Sequence, residues 1–574
     1  MWILSNNKNN TSAEKSGYEN FSMVTRADEG VPLKQSKNWI ISGHVFTRKK
    51  VDVDFEKSQG VDLLVALYQK YGTDFIHYIT GQFIIIHLES DKFTIYSDHF
   101  AIKKFFIWQK NGHFIISDDL NQIIQHIQLR PSKEAMANYA IDYHFTAGTT
   151  AFENLKHNEP GQIIEYKADK LHYSTYWQPE ELLKLKKRQV HIASISKALS
   201  KSVSQGLNSI DKNKISLSLT GGADTRNLLA VFLNKGIKPH LYTYGNPNSD
   251  DCVKARAIAD GLGLNHSIHD IQMTAELFEK YARKIIKQGG GLASIHRVHR
   301  IVAVEREKQF ADNMFLGTLG GEFIKGVSED NYIVPPIVYE NWDNQSFTKD
   351  QLIGYLQGKF IKHKNVDLNS LLSLVKSQSY MNGSVTKRKH AALSYITAHL
   401  HDAQDINLYR SAMQDVFTPF LDIDYLELIF SSKYTFDNKE RIGNKYLKKL
   451  NNPVYASNFI KATYTPLLKF LYSGDHKPSE VLFNKYYAAV LKIVRQRKNR
   501  GKYKPNFPLG RWMEEFVEKN LPLCYNHKEL KDTFDLDGLM VEFKKGNHNP
   551  REAYWLKFTN PIMMRFIIEE FTSQ

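Results

Sequence analysis

Ile215-Ser216-Leu217-Ser218-Leu219-Thr220-Gly221-Gly222-Ala223-Asp224-Thr225-Arg226 is the stretch that decides how the rest of the chain is read. Apolar residues alternate with Ser up to Leu219, the period of a short strand. Two glycines follow, and then Arg226-Asn227-Leu228-Leu229-Ala230-Val231-Phe232-Leu233 reads as a helix. A strand, a glycine turn and a helix N-terminus together make an anion site. The glycines let the backbone approach a phosphate, and the first-turn N–H groups point at it. The hydroxyls of Thr220 and Thr225 add donors. Asp224 would repel a phosphate unless a metal lies between them, so the reading includes Mg²⁺ bridging carboxylate and phosphates. The plain alternative is a Gly-Gly turn into a helix with an acidic first turn.

The stretch is not a Walker loop, because the glycines are adjacent and no Gly-Lys-Ser/Thr follows. It resembles the Ser-Gly-Gly-x-Asp-Ser pyrophosphate loop of ATP pyrophosphatases that form AMP, with Thr at both hydroxyl positions. Through that resemblance Leu219, Thr220, Gly221, Gly222, Asp224 and Thr225 are expected to hold ATP and its pyrophosphate.

Composition sets bounds. The chain has 574 residues, 42% hydrophobic and 24% charged, as globular proteins do, and its length calls for two or more domains. No apolar run approaches the roughly 18 residues that span a bilayer. The start, Met1-Trp2-Ile3-Leu4-Ser5-Asn6-Asn7-Lys8, lacks a signal-peptide apolar region, so a cytoplasmic location is expected. Cys252 and Cys524 are too far apart for metal-ligand spacing. The net charge is +15, and Lys492, Arg495, Arg497, Lys498, Arg500, Lys502 and Lys504 crowd one stretch. That run reads as a solvated, Lys-rich helix end. No zinc-finger or RNA-binding signature accompanies it, so no nucleic-acid partner is expected.

Residues up to about Pro179 read as strand-rich. Asn38–Phe46 is a strand, Val61–Gly72 a helix with a glycine stop, and Gly81–Leu88 with Lys92–Asp98 a hairpin across Glu89-Ser90-Asp91. Phe105–Trp108 with His113–Asp119 is a second hairpin. The order of Gly81-Gln82-Phe83, Ser97-Asp98-His99-Phe100-Ala101-Ile102-Lys103-Lys104, Ile115-Ile116-Ser117-Asp118 and Glu159-Pro160-Gly161-Gln162 is similar to the glutaminase domain of asparagine synthetases, with its G-x-F-A-F, R-D-x-x-G-x-K-P-L, F-A-S-E and L-x-P-G-H. In that family a cysteine directly after the initiator Met is the nucleophile, and its own α-amino group is the base. Here the position is Trp2, and no Cys precedes Cys252. The chemistry therefore predicts no glutamine hydrolysis.

Gln178–Arg188 reads as a polar linker. Beyond it, helix 193–207 leads into the phosphate-loop strand. Lys238–Gly245 is a second strand whose tip, at Tyr244, is expected to face the nucleotide. Ser249-Asp250-Asp251 opens a helix as cap and first-turn charges. Ser267–Ile271 is a third strand. Gly289–Ser294 turns into a helix carrying His296, Arg297, His299 and Arg300, read either as a substrate-facing cation cluster or as an exposed face. Asn313–Phe323 is a fourth strand running into a glycine turn. It resembles the family's L-S-G-E-G-A-D-E, which brings Gly317 to the nucleotide and places Glu322 on the Asp that shares Mg²⁺ with Asp224. Leu319 falls where asparagine synthetases have a Glu and β-lactam-forming relatives a Tyr. Asp415-Val416-Phe417-Thr418-Pro419-Phe420-Leu421-Asp422 resembles E-x-R-x-P-F-L-D, with Asp415 at the Glu position and Phe417 replacing the Arg. Gly443–Leu450 and Lys461-Ala462-Thr463-Tyr464-Thr465-Pro466 resemble K-x-x-L and R-x-K-x-G-F-x-x-P. Lys461 takes the position of a charge-stabilising lysine, with Lys445, Lys448 and Lys449 as rivals.

The resemblance to the asparagine synthetase family implies a mixed α/β chain. Residues 1–185 would form a degenerate glutaminase-like, Ntn-type antiparallel sandwich. Residues 190–574 would form an ATP-pyrophosphatase parallel α/β domain with helical additions. Residues 325–400 match no part of the family pattern, and their length reads as an insertion near the site entrance, a candidate lid. The implied enzyme is an ATP- and Mg²⁺-dependent amide ligase. It would adenylate a carboxylate and join it to an amine, with Lys461, Asp224 and Glu322 as catalytic groups and Asp415 and His296 toward the substrate. The β-lactam synthetases and lasso-peptide cyclases of this family take the amine from the substrate itself, so a precursor peptide is one expected partner. An ammonia-dependent synthetase of asparagine or a sugar-acid amide is the competing reading. A tRNA-modifying ATP pyrophosphatase and a non-catalytic binding relative stand behind it. A homodimer is compatible with each of these.

Overall fold

The computed structural model describes the chain outside residues 7–20, 26–32, 36–37, 49–50, 52–59, 213, 326–346, 379–389, 392, 436–450, 474, 547–551 and 573–574. Its N-terminal half holds eleven described strands: β1 (Trp2–Ser5), β2 (Ser22–Thr25), β3 (Leu33–Gln35), β4 (Trp39–Thr47), β5 (Ile79–Leu88), β6 (Phe93–Ser97), β7 (Phe106–Lys110), β8 (His113–Ser117), β9 (Leu155–His157), β10 (Gln162–Lys167) and β11 (Lys170–Thr175). They form two antiparallel sheets, β2-β1-β8-β7-β9 and β11-β10-β6-β5-β4-β3. Trp2, Leu4, Ile84, Ile86, Phe93, Ile95, Ile107, Phe114 and Ile116 fill the space between the sheets. The other face of the larger sheet buries Ile41, Phe83 and Ile85 against Leu63, Leu64 and Leu67 of helix Gly60–Tyr71. Ile3, Phe106 and Ile115 join the large core shared with helix Lys133–Asp142. Helix, sheet, sheet and helix are thus stacked, the sandwich expected from the strand periodicity.

The Ser97–Lys104 turn shows why that motif has its composition. The Asp98 carboxylate accepts from the backbone N–H groups of Phe83, Phe100, Ile102 and Lys103 at 3.0–3.2 Å. Complete burial still lifts its pKa to about 6, against the pull of those four donors.

The C-terminal half carries a parallel sheet of β12 (Ile215–Ser218), β13 (His240–Tyr244), β14 (His266–His269), β15 (Asn313–Phe315) and β16 (Asp415–Phe417). Its order is β14-β13-β12-β15-β16. The chain moves outward in one direction from β12 and then returns to its other side. The topological switch point therefore lies between β12 and β15, where open parallel sheets bind ligands beyond the strand ends.

Two helices of the 325–400 segment are Lys349–Gly358 and Leu368–Ser377. These two do not cover the sheet's C-terminal edge. Both pack against helix Lys133–Asp142, and Ile361 bridges to Phe534, so this part of the 325–400 segment clasps the sandwich. The polar stretch at 178–188 holds a 3₁₀ turn, Pro179–Lys184, with Leu182 buried.

Candidate functional site: a cavity at the parallel-sheet switch point

β12 ends at Ser218, and the glycine turn delivers the chain into helix Asp224–Asn234. A cavity of about 280 Å³ opens there, lined by Ser218, Thr220, Gly222, Asp224 and Thr225 from this side. Tyr242 and Tyr244 contribute from β13, and Leu316, Gly317, Thr318, Leu319 and Glu322 from the turn after β15. Arg300, His401 and Tyr409 complete the wall.

The two halves of the wall touch closely. A Cβ at Gly317 would lie 2.5 Å from Thr225 Cγ2, and one at Gly321 would lie 2.5 Å from Asp224 Oδ1. The Asp224 carboxylate therefore rests on the backbone directly before Glu322. Leu319 sits at φ 69°, a left-handed conformation costly for a branched side chain and characteristic of functional turns.

The loop is held from behind by residues the sequence did not single out. Ser249 caps helix Asp250–Leu262, as its position suggested, by accepting from Cys252 N–H. Asp251 reaches over instead. Its Oδ1 accepts from Gly221 N–H at 3.2 Å and from Ser473 Oγ at 3.0 Å, and its Oδ2 from Asn506 Nδ2 at 3.1 Å. Ser473 N–H donates to Gly221 O at 2.6 Å. The buried Arg226 guanidinium donates to the carbonyls of Phe470, Leu471 and Gly221 and lies 4.3 Å from the Tyr472 ring centroid. Burial lowers the Arg226 pKa to about 10, which leaves it charged at neutral pH. Segment 470–473 thereby braces the Gly221–Gly222 turn from behind.

The donor set fits Mg²⁺ and phosphates. Asp224 and Glu322 are hard oxygen ligands on one wall. Thr225 Oγ1 and Thr318 Oγ1 are buried and have no hydrogen-bond partner among the described residues. Buried hydroxyls in that state suit a ligand rich in acceptors.

Of the nucleotide residues expected from sequence, Thr220, Gly222, Asp224, Thr225, Tyr244, Gly317 and Glu322 line the cavity. Leu219 and Gly221 lie behind it, Leu219 N–H bonded to Tyr242 O at 2.8 Å. Three others sit elsewhere. His296 is buried with Nε2 2.7 Å from Thr559 Oγ1, so its ring faces the core. Asp415, at the start of β16 and so at the opposite edge of the sheet, binds His44 Nε2 of the sandwich at 2.5 Å. Lys461 is exposed in the last turn of helix Asn451–Thr463, which packs beside the Glu322 turn. Lys445, Lys448 and Lys449 lie outside the described residues.

Arg300 is the member of the cation cluster that reaches the cavity. It shares the buried Asp405 carboxylate with Arg297. His401 was missed because its segment, the π-helix Leu393–Asp402, matched no motif. Burial and the nearby Arg297, His144 and Arg300 push its pKa well below the usual histidine value, so its ring is neutral at pH 7.

The nucleophile position of the sandwich is filled. Trp2 is 1% exposed, its backbone N–H donates to Asp118 Oδ1 at 2.8 Å, and its ring lies 5.7 Å from that of Phe105.

Among the described residues, His157, Glu159 and His399 form a trio with one ligating atom each within 4.8 Å of the others. The Lys104 ammonium is 2.9 Å from His399 Nδ1, and both His157 nitrogens face carbonyls, of Asn158 and Phe145. Burial brings the Lys104 pKa down to about 7. Both His157 nitrogens are taken by carbonyls, so the trio is a buried polar joint between the two halves.

Residues 43–177 match the family model of the glutamine amidotransferase domain. The match begins after β1, where the nucleophile position lies. No curated protein matches the chain. Among solved structures, the chain is similar to glutamine phosphoribosylpyrophosphate amidotransferase from B. subtilis, at 9% identity over 64% of this chain and 80% of that one, with a TM-score of 0.20. It is also similar to a structure described as the allosteric regulatory enzyme of purine biosynthesis, at 10% identity over 59% and 74%, with a TM-score of 0.19.

Proposed function

We propose that the chain is an AMP-forming, ATP-dependent amide ligase of the asparagine synthetase type that does not draw nitrogen from glutamine. The observation that carries this reading is the cavity at the switch point. It combines the phosphate loop, two carboxylates on one wall and two buried hydroxyls in need of acceptors.

In this reading Asp224 and Glu322 hold Mg²⁺, which neutralises phosphate charge when bound. The loop N–H groups with Thr220 and Thr225 hold the pyrophosphate. A substrate carboxylate attacks the α-phosphorus of ATP, and the α–β bridging oxygen leaves with pyrophosphate. An amine then adds to the acyl carbonyl, AMP departs, and the amine loses one proton. Leu319 cannot take that proton. His401, neutral and lining the same cavity, can orient the amine as a hydrogen-bond acceptor, while its depressed pKa leaves the proton itself to water. Arg300 faces the same space and balances the charge of the departing phosphates.

Trp2 leaves the sandwich without a thiol, so the amine is free ammonia or belongs to the substrate. An amine and a carboxylate on one precursor peptide, joined as in lasso-type cyclisation, is the form we favour. The experiment supplies purified protein with Mg²⁺, ATP, a panel of carboxylates including acidic peptides, and hydroxylamine as a neutral acceptor. The expected products are AMP, pyrophosphate and a hydroxamate, all abolished in Asp224→Ala. ADP and phosphate as products would refute the assignment.

A further inference from the structure

Surface helices normally turn their polar side outward. Helix Lys485–Lys498 does the opposite. Tyr486, Tyr487, Val490, Ile493 and Val494 are 49–58% exposed, and Phe483 just before the helix is 81% exposed. At 3.6 residues per turn the five helical positions fall within an arc of about 120°. Ala488, on the opposite side, is the residue that packs inward. The exposed stripe runs the length of the helix, with three aromatic side chains at its N-terminal end.

Charge surrounds the stripe. Residues 477–504 contain nine Lys and Arg and one acid, Glu480, a net +8 out of the whole chain's +15. Glu480 is occupied by Arg495 through bonds of 2.6 and 2.7 Å. The helix is not a fraying end. Arg495 Nη1 also donates to Asp475 O, Asp475 pairs with the buried Lys254 at 2.9 Å, and Lys504 N–H donates to Asn248 O. Ser473 and Asn506, on either side of the segment, both bond Asp251 behind the phosphate loop. The apolar face is therefore held outward by the fold.

We infer that this face docks on an anionic lipid bilayer, with the helix lying in the interface plane. Its chemistry is that of an interfacial helix: an apolar stripe to enter the headgroup boundary, the exposed cations Arg497, Lys498 and Arg500 at its C-terminal end to meet lipid phosphates, and aromatic rings at the water–lipid level. A second copy is a poor occupant, because it would bring two +8 segments together. The proposal is independent of the ligase reading, and no membrane-spanning helix is needed; among the described residues none is long and apolar enough to be one.

The test is co-sedimentation of the full chain with phosphatidylcholine vesicles and with mixed phosphatidylcholine–phosphatidylglycerol vesicles. Binding to the mixed vesicles only, weakened by salt, is expected. The surface variant Val490→Glu/Ile493→Glu should lower that binding more than tenfold. Arg497→Gln/Lys498→Gln/Arg500→Gln should lower it about a hundredfold, roughly fivefold per charge. Circular dichroism should remain unchanged in both variants. Three results would each overturn the proposal. Mixed vesicles could fail to bind. The stripe variant could bind them as well as the parent does, or convert a dimer to a monomer. An acidic leucine-rich peptide could bind the stripe while vesicles of both compositions do not.

Discussion

Gly321→Ala isolates the geometry of the proposed metal ligand. A Cβ at this position meets Asp224 Oδ1 at 2.5 Å, Oδ2 at 2.9 Å and Cγ at 3.0 Å. Ordinary contact begins at 3.4 Å, so the carboxylate must retreat by about 0.9 Å. The yielding atoms are the far end of a side chain, so the fold gives way cheaply. Overpacking costs about 1 kcal/mol, the low end of its range, and part of this is offset because Ala orders the unfolded chain. The function does not give way cheaply. A displacement near 1 Å at a reacting centre costs about a hundredfold, or about 2.7 kcal/mol. Calorimetry of ATP binding with and without Mg²⁺ reads this without the acyl substrate. The Mg²⁺-dependent part of the affinity should fall at least tenfold, while binding without Mg²⁺ stays within about twofold and the melting temperature moves by only a few degrees. Gly354→Ala, where nothing lies within 4 Å, is the control and should leave both readings intact. Unchanged Mg²⁺ dependence in Gly321→Ala would show that Asp224 does not bind metal from the position described.

Purified protein incubated with glutamine should release no glutamate above background, because Trp2 fills the nucleophile position; sustained release would require another nucleophile. Lys461→Met should keep ATP affinity and lose hydroxamate formation by roughly a hundredfold if this flexible cation swings from solvent onto the departing phosphates. Near-normal turnover in that variant would leave the role to Arg300. Burial lifts the Glu307 pKa from 4.5 to about 9, and its Oε2 lies 2.9 Å from His269 Nε2. The folded chain then holds a proton that the unfolded chain has released, so stability declines as pH rises from about 4.5 to 9, by about 3 kcal/mol at pH 7. Glu307→Gln should flatten the melting temperature between pH 5 and pH 8, and parallel curves for parent and variant would refute that protonation state.

The glycine turn after β12 was legible because local chemistry dictates it: Gly221, Gly222 and Asp224 are constrained by what backbone and carboxylate must do within one turn. The sandwich was legible where period-two strands met tight turns, as at Glu89-Ser90-Asp91. What escaped was set by contacts distant in sequence. Asp251 read as a helix charge, yet its partners Ser473 and Asn506 lie 222 and 255 residues away. His401 and Arg300 reach one cavity only because Asp405 fixes the arginine and a π-helix turns the histidine inward. The run around Lys492 read as a solvated helix end, and Arg497, Lys498 and Arg500 are exposed; the apolar stripe beside them escaped because sequence gives the helical period but not which face the fold covers.

These long-range contacts also give the sandwich a structural role in the other half of the chain. Lys104 and Phe100 O both meet His399 Nδ1 at 2.9 Å, two residues before His401 enters the cavity. Asn407 donates to Ile102 O at 2.6 Å, close to Asp405 and Tyr409. Arg48 pairs with Asp424 and Glu427, and Arg410 with Gln82, on the segments flanking β16. The bonds to His399, Asn407 and Arg410 join the Ser97–Lys104 turn and β5 to the segment that carries His401 and Tyr409 into the cavity, while Arg48 ties the end of β4 to helix Ile423–Ser431. The Asp98 turn, whose four backbone bonds need no thiol, is thus the surface on which that wall is set. A chain that lost glutamine chemistry would still be held to these residues by the architecture of the other site.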